Sequence, residues 1–318
     1  MPDPPANGLR AWLAAEVDPG FAEAAVDRIG TGHSRAMYTV TASSGRRVVV
    51  RVEQGGVFGT TSAEERRVMR ALHVAGYPVA RIIAADLDGE ALGRPLFVME
   101  FVDGAAGAEA AVIDDATAVS FVRSLHELHQ LDGRSFGFDI VPEGASAATP
   151  LQIQRWHRIH DGAAPLPDPL IDEAAAWLLH HAPALDRLAV VHGDAGPGNF
   201  VHAGGRVVAV TDWEFAHLGD PAEDFAYCLT MRGPRTMSRE RWLALFADHA
   251  GVEMTEGQWR YWEAFNLFKG ACANRTCRAI FEDGRNRAPN MAVIGTALHQ
   301  VFLRRLSAIV HQSHRTLP

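Results

Sequence analysis

Cysteine is scarce in this chain of 318 residues: Cys228, Cys272 and Cys277 are all there are. Three thiols cannot build a disulfide framework, and Cys272 and Cys277 are too widely spaced for a zinc knuckle and have no second pair. A reducing, cytoplasmic setting is therefore expected. The proline-rich start, residues 1–6, lacks the basic region and apolar run of a leader. No stretch reads as long and apolar enough to span a bilayer, so no membrane partner is expected. Positive charge is also in short supply. With 30 basic against 38 acidic residues, a net charge of −8 argues against nucleic acid as a partner.

What is present is an ordinary globular composition, long enough for a large core and two lobes. Charge is unevenly placed. From Lys269 onward Lys269, Arg275, Arg278, Arg285, Arg287, Arg304, Arg305 and Arg315 face only Glu282 and Asp283. Such a stretch reads as a solvated helix face or as a surface for an anionic ligand.

The densest set of chemical groups lies in residues 190–217. An apolar run breaks at His192-Gly193-Asp194, and a glycine- and proline-rich loop leads to Asn199. Two further apolar runs follow, joined by Gly204-Gly205, and the second ends on Asp212-Trp213-Glu214. A two-glycine turn between β-branched runs predicts a hairpin, which brings Asp194, Asn199 and Asp212 to neighbouring strand ends. Two carboxylates and an amide oxygen form a hard donor set that suits Mg²⁺ better than zinc, with one carboxylate able to orient a hydroxyl instead.

The order and spacing, HGDAGPGN followed by TDWE, resemble the catalytic loop and metal motif of the aminoglycoside phosphotransferase family. That resemblance implies an α+β, bilobal protein-kinase-like fold: a β-rich N-terminal lobe with one main helix over residues 1–103, and a mostly helical catalytic and substrate lobe over 104–318. It implies a phosphotransferase that moves the γ-phosphate of ATP (or GTP) to a hydroxyl of a small molecule. Asp194 would orient the acceptor hydroxyl, and Asn199 and Asp212 would hold Mg²⁺.

The N-terminal part can be matched to the same plan. A helix is expected over residues 9–17, then three short strands at 25–29, 36–41 and 46–52. The turn Gly30-Thr31-Gly32, with Ser34 beyond it, could let backbone amides approach phosphate, although it lacks the third glycine of the protein-kinase loop. Where the family carries a phosphate-binding lysine on the third strand, this sequence has Arg51, which can clamp phosphate and stays charged when buried. On the next helix, residues 63–75, Glu65 is the counterpart of the family's paired glutamate. Ser62-x-x-Glu65 is also the pattern of a capping box. Runs at 79–85 and 95–102 complete a five-stranded sheet, and the crossing beyond them makes Glu100 and Val102 candidates for backbone bonds to the base.

Helices are expected at 113–131, 151–159 and 169–181, with a loop over 133–149. His126 and His129, like His157 and His160, are i, i+3 pairs without a third ligand and read as packing or surface residues. Asp220 and Asp224, at the start of a helix running to Met231, read as supports of the catalytic loop, and His192 as a structural residue of that loop. Helices at 239–250, 258–281 and 291–311 follow, with Trp259, Trp262, Phe265 and Phe268 forming a core face. Asn266, Lys269, Asn274 and Arg278 are the polar candidates there. The basic end of the chain favours a neutral or anionic acceptor over an aminoglycoside. Two rival readings remain, a non-catalytic nucleotide-binding module and a metal-dependent phosphate hydrolase. Oligomeric state leaves no signal.

Overall fold

The computed structural model describes residues 6–29, 35–54, 58, 60–106, 113–164 and 166–314. In chain order the first elements are helix α1 (Ala6–Glu16), strands β1 (Ala25–Ile29), β2 (Arg35–Thr41) and β3 (Arg47–Glu53), helix α2 (Ser62–Val74), and strands β4 (Ile82–Asp86) and β5 (Leu96–Glu100). Then come helices α3 (Asp115–Gln130), α4 (Ala145–Ala163) and α5 (Pro169–His180), and strands β6 (Ala189–Val191), β7 (Phe200–Ala203), β8 (Arg206–Val210) and β9 (His217–Gly219). Helices α6 (Ala222–Tyr227), α7 (Arg239–Ala250), α8 (Glu256–Glu282), α9 (Pro289–Val293) and α10 (His299–His314) complete the chain. Its contacts form two compact units. One comprises Met1–Ser120, Ser135–Asp139 and Gly198–Phe215; the other comprises Phe121–Arg134, Ile140–Pro197 and Ala216–Pro318.

In the first unit an antiparallel sheet runs in the order β1-β2-β3-β5-β4. Side chains alternate across a strand, so the valine-rich β3 serves two faces. Val48, Val50 and Val52 join Leu9, Leu13, Phe21 and Val98 in a dry core. Val49 and Arg51 line a cavity on the other face, with Met37 and Thr39 of β2 and Met99 of β5. In register, Arg51 lies opposite Met37 on one side and Phe97 on the other. The hairpin β7–β8 belongs to this unit. Its two-residue turn places Gly204 at φ +56° and Gly205 at φ +73°, the doubly left-handed geometry that glycine adopts without steric cost and that matches strand twist. Ala105, just past the sheet, exchanges backbone hydrogen bonds with His202 of β7 at 2.9 and 3.0 Å.

The second unit is mostly helical. Helix α8 is its centre, burying Trp259, Trp262, Phe265 and Phe268 along one stripe as expected. The loop expected over 133–149 is corrected in part: α4 starts at Ala145 and keeps Pro150 inside it. Burial of Ala148, Ile153 and Trp156 favours the helix over the local cost of proline, a case of packing overriding propensity. Strand β9 was not anticipated, because three residues carry no period; it pairs antiparallel with β6, Val191 opposite His217. The expectation of no sufficiently apolar stretch is also corrected. By length and composition alone the 23 residues Pro289–His311 are apolar enough to cross a membrane. Packing accounts for that apolarity in part, since Met291, Leu303, Leu306 and Val310 are buried, while Arg305 pairs with Glu263 of α8 at 2.8 Å.

Candidate active site

In the first unit the site is built around Arg51. Its side chain, 5% exposed, meets Glu65 of α2 through Nε (3.1 Å to Oε2) and Nη2 (2.9 Å to Oε1). The same Nη2 donates to Asp212 Oδ1 at 2.8 Å. Burial works against the guanidinium's charge, but Glu65, Asp212 and Glu214 more than offset it and raise its pKa. The capping-box alternative for Glu65 is not realised: Thr61 caps α2 by accepting from the Glu64 amide, which leaves Glu65 free to turn inward. A second arginine that sequence reasoning missed, Arg35, is buried with Nε 3.7 Å from Glu65 and bonds Thr60 at 3.2 Å. Only the alternation of β2 could have signalled it.

Asp212 follows β8 with φ +68°, a left-handed backbone rare outside glycine and tolerated best by Asp and Asn. Its neighbours hold that turn in place. Trp213 donates its indole N–H to Val210 O at 3.0 Å and packs edge-on against Tyr77. Asn199 stands beside it at the same end of the hairpin, just before β7, its carbonyl accepting from the Thr211 amide at 2.9 Å. Asn199, Asp212, Arg51, Glu65, Glu100 and Val102 all line one cavity of about 460 Å³, whose remaining wall is mainly apolar, a size and character suited to a small ligand. The Glu100 side chain is taken by Arg81 at 2.9 Å, and the Glu100 amide donates to the Arg81 carbonyl at 2.9 Å. Gly30, Gly32 and Ser34 lie outside the described residues. Glu214, named with the motif but given no role there, sits among Asp212, Arg51, Arg35 and Glu65; burial and the Asp212 charge push its carboxyl up to about 8.

The second unit holds Asp194 in a fully buried loop after β6. The loop's shape is set by three buried groups. Asp224 accepts from the amides of His192 and Gly193, both at 2.8 Å, and is met by His129 Nε2 at 2.9 Å. Burial alone would raise this carboxyl, yet the bonds from His129 and His192 bring it below its ordinary value. Lys269, the single lysine of the sequence, donates to Gly193 O at 2.6 Å and to Glu223 Oε1 at 2.5 Å. Glu223 in turn is 3.2 Å from His217 on β9, and against burial Lys269 and the contact with His217 hold its carboxyl low. His192 accepts the Asp194 amide on Nδ1 at 3.2 Å. His129 and Lys269 are thus part of the scaffold, the first more closely than its i, i+3 pattern suggested. Asp220 accepts from the Ala222 amide at the start of α6 at 2.8 Å. The Asp194 carboxylate itself is gripped by Arg232, with Nε 2.9 Å from Oδ1 and Nη2 on Oδ2. No sequence pattern pointed to Arg232.

Comparison with known proteins gives consistent results. A sequence model described as the phosphotransferase enzyme family matches residues 25–265. Acyl-CoA dehydrogenase family member 11 of Mus musculus is 25% identical over 296 residues, covering 83% of this chain and 38% of the relative. The chain thus spans under two fifths of that relative's length. Among solved structures, a Ralstonia eutropha protein described as a candidate aminoglycoside phosphotransferase superposes with a TM-score of 0.70 at 24% identity, covering 96% of this chain and 98% of the other. Aminoglycoside phosphotransferase APH(4)-Ia, in a ternary complex with AMP-PNP and hygromycin B, gives a TM-score of 0.67 at 15% identity, covering 96% and 99%. The fold is the α+β, protein-kinase-like one.

Proposed function

The chain belongs to the phosphotransferase enzyme family, and from that premise we propose that it transfers the γ-phosphate of ATP or GTP to a hydroxyl of a small molecule in the cytoplasm. The observation that carries this reading is Arg51, held between Glu65 and Asp212 on the wall of a cavity that Asn199 also lines. A guanidinium already balanced by two carboxylates is preorganised to meet phosphate oxygens without reorganising first. Asn199 and Asp212 are hard oxygen donors and fit Mg²⁺, which when bound supplies positive charge to the phosphate oxygens. Glu100 and Val102 line the same cavity, and their backbone carbonyls or the Val102 amide would bond the base.

Asp194 orients the acceptor hydroxyl and accepts its proton. The transition state of phosphoryl transfer is loose and rich in charge, so positioning counts for more than proton abstraction. The acceptor is a neutral or anionic hydroxy compound, such as a hydroxylated acid, a sugar or a hydroxyacyl-CoA. Support for the last comes from the relative named as an acyl-CoA dehydrogenase family member. A panel of such acceptors and aminoglycosides, assayed for nucleotide consumption with wild type and Asp194→Ala, tests the reading. We expect acceptor-dependent turnover that the substitution abolishes while Mg-ATP binding, followed by calorimetry, persists. Full activity in Asp194→Ala would overturn it.

A further inference from the structure

We propose that Arg232 selects the acceptor, binding an anionic group of the hydroxy compound while it holds Asp194 for that compound's hydroxyl. This rests on the phosphotransferase reading and on Asp194 as the residue that meets the hydroxyl.

Three features converge on Arg232. First, the helix carrying it does not continue as an α-helix: after α6 the chain widens into a π-turn, Cys228–Arg232, a device that re-aims side chains and recurs at functional sites. Second, the facing loop makes room for it. Gly196 has φ +144°, and a Cβ there would lie 2.7 Å from Arg232 Cβ and 3.1 Å from its Cδ, so only glycine lets the arginine stem lie against the loop. Third, the guanidinium grips both oxygens of Asp194 in a fork.

A purely structural role does not explain these features. The loop is already fixed by Asp224 and Lys269 through the backbone of residues 192 and 193, and the Arg232 side chain is 29% exposed while Asp194 is 9%. The arginine side of the pair is therefore the side an acceptor can reach, and the close fit of loop and π-turn holds it there for a ligand.

The chemistry is compatible with turnover. Each carboxylate oxygen has a second lone pair, so an acceptor hydroxyl can bond Asp194 without displacing the arginine. Arginine is the side chain suited to carboxylate and phosphate oxygens, and this one is part-exposed. An ammonium-rich acceptor would have to place like charge beside it. Arg232 is therefore a positioning and specificity residue.

The test compares a short-chain hydroxy acid, its primary amide, its CoA thioester and kanamycin as acceptors for wild type, Arg232→Gln and Arg232→Lys. Thermal melts check folding, and the Lys variant carries the test should the Gln variant fail to fold. For wild type kcat/KM should favour an anionic acceptor over the amide by at least about tenfold, the effect of one charge-assisted bond. Preference for the free acid assigns the anion to its carboxylate; preference for the thioester over both acid and amide assigns it to the CoA phosphates. In Arg232→Gln the ratio should fall towards one, mainly through KM, and Arg232→Lys should restore part of it. Equal use of acid, thioester and amide by wild type, a preference for kanamycin, or an unchanged ratio in Arg232→Gln would overturn the proposal. Wild type that consumes no nucleotide with any acceptor would overturn the phosphotransferase reading itself.

Discussion

The two units handle buried charge in opposite ways. In the second, Lys269 with Glu223 and His129 with Asp224 are matched pairs, each nearly sealed from solvent, and each bonds the backbone of the loop that carries Asp194. In the first, Arg35 and Arg51 stand among three carboxylates, Glu65, Asp212 and Glu214, and the Asp212 side chain keeps 34% of its exposure. A matched buried pair is costly to break and inert to ligands. A larger cluster beside a cavity, with one carboxylate part-exposed and another raised towards protonation, can still respond to a ligand. The comparison separates scaffold from ligand site more sharply than residue type does, since both regions use the same few side chains.

The largest expected effect is on turnover. Asp194→Asn, which keeps the shape and loses the charge, should lower kcat by about 10² to 10⁴ with Mg-nucleotide affinity held within a few-fold. Loss of affinity equal to the loss of rate would mean that Asp194 belongs with the nucleotide cluster.

Next comes the scaffold. Lys269→Met leaves Glu223 buried beside only His217, and unfolding in urea should show a loss of about 3 kcal/mol with nucleotide binding retained in the folded fraction. Unchanged stability would remove the distinction between the two regions. In the first unit Arg51→Lys should weaken Mg-ATP binding by about tenfold, since an ammonium cannot serve Glu65 and Asp212 as a fork; calorimetry measures it.

The smallest effect is one of protons. Glu214, raised to about 8 in the folded protein, binds a proton that the unfolded chain releases near its ordinary value, so wild type loses stability as pH rises from about 4.5 to 8. Glu214→Gln should therefore gain on wild type across that window, by thermal melts at pH 5 and pH 8. A constant gap would show that Glu214 is ionised within the cluster. Mg-nucleotide binding at pH 7 should also release protons from wild type, read by calorimetry in buffers of different ionisation enthalpy.

Much of this was legible before any coordinates. Periodic segments such as α8 and the strands β1 to β3 announced themselves through alternation and helical spacing, and the Gly204-Gly205 turn set the hairpin. Arg51 and Glu65 could be named as partners, although Ser62-x-x-Glu65 was equally a cap until Thr61 proved to take that role. Strand β9 and the start of α4 were not legible, because one is too short for a period and the other depends on a buried face. Arg35 and Arg232 were invisible for a similar reason: an arginine beside an apolar segment carries no mark of the side chain it will meet.

The sequence by itself determined the fold class, the order of Asp194, Asn199 and Asp212 along the chain, and the family, since local periodicity, turn chemistry and motif spacing are properties of neighbours in the chain. Tertiary structure alone decided which charges meet. Lys269 is spent on the Gly193 carbonyl 76 residues away, and Arg51 reaches Asp212 across 161. Pairings at that separation depend on how elements pack and what they shut away from water, which no local pattern records.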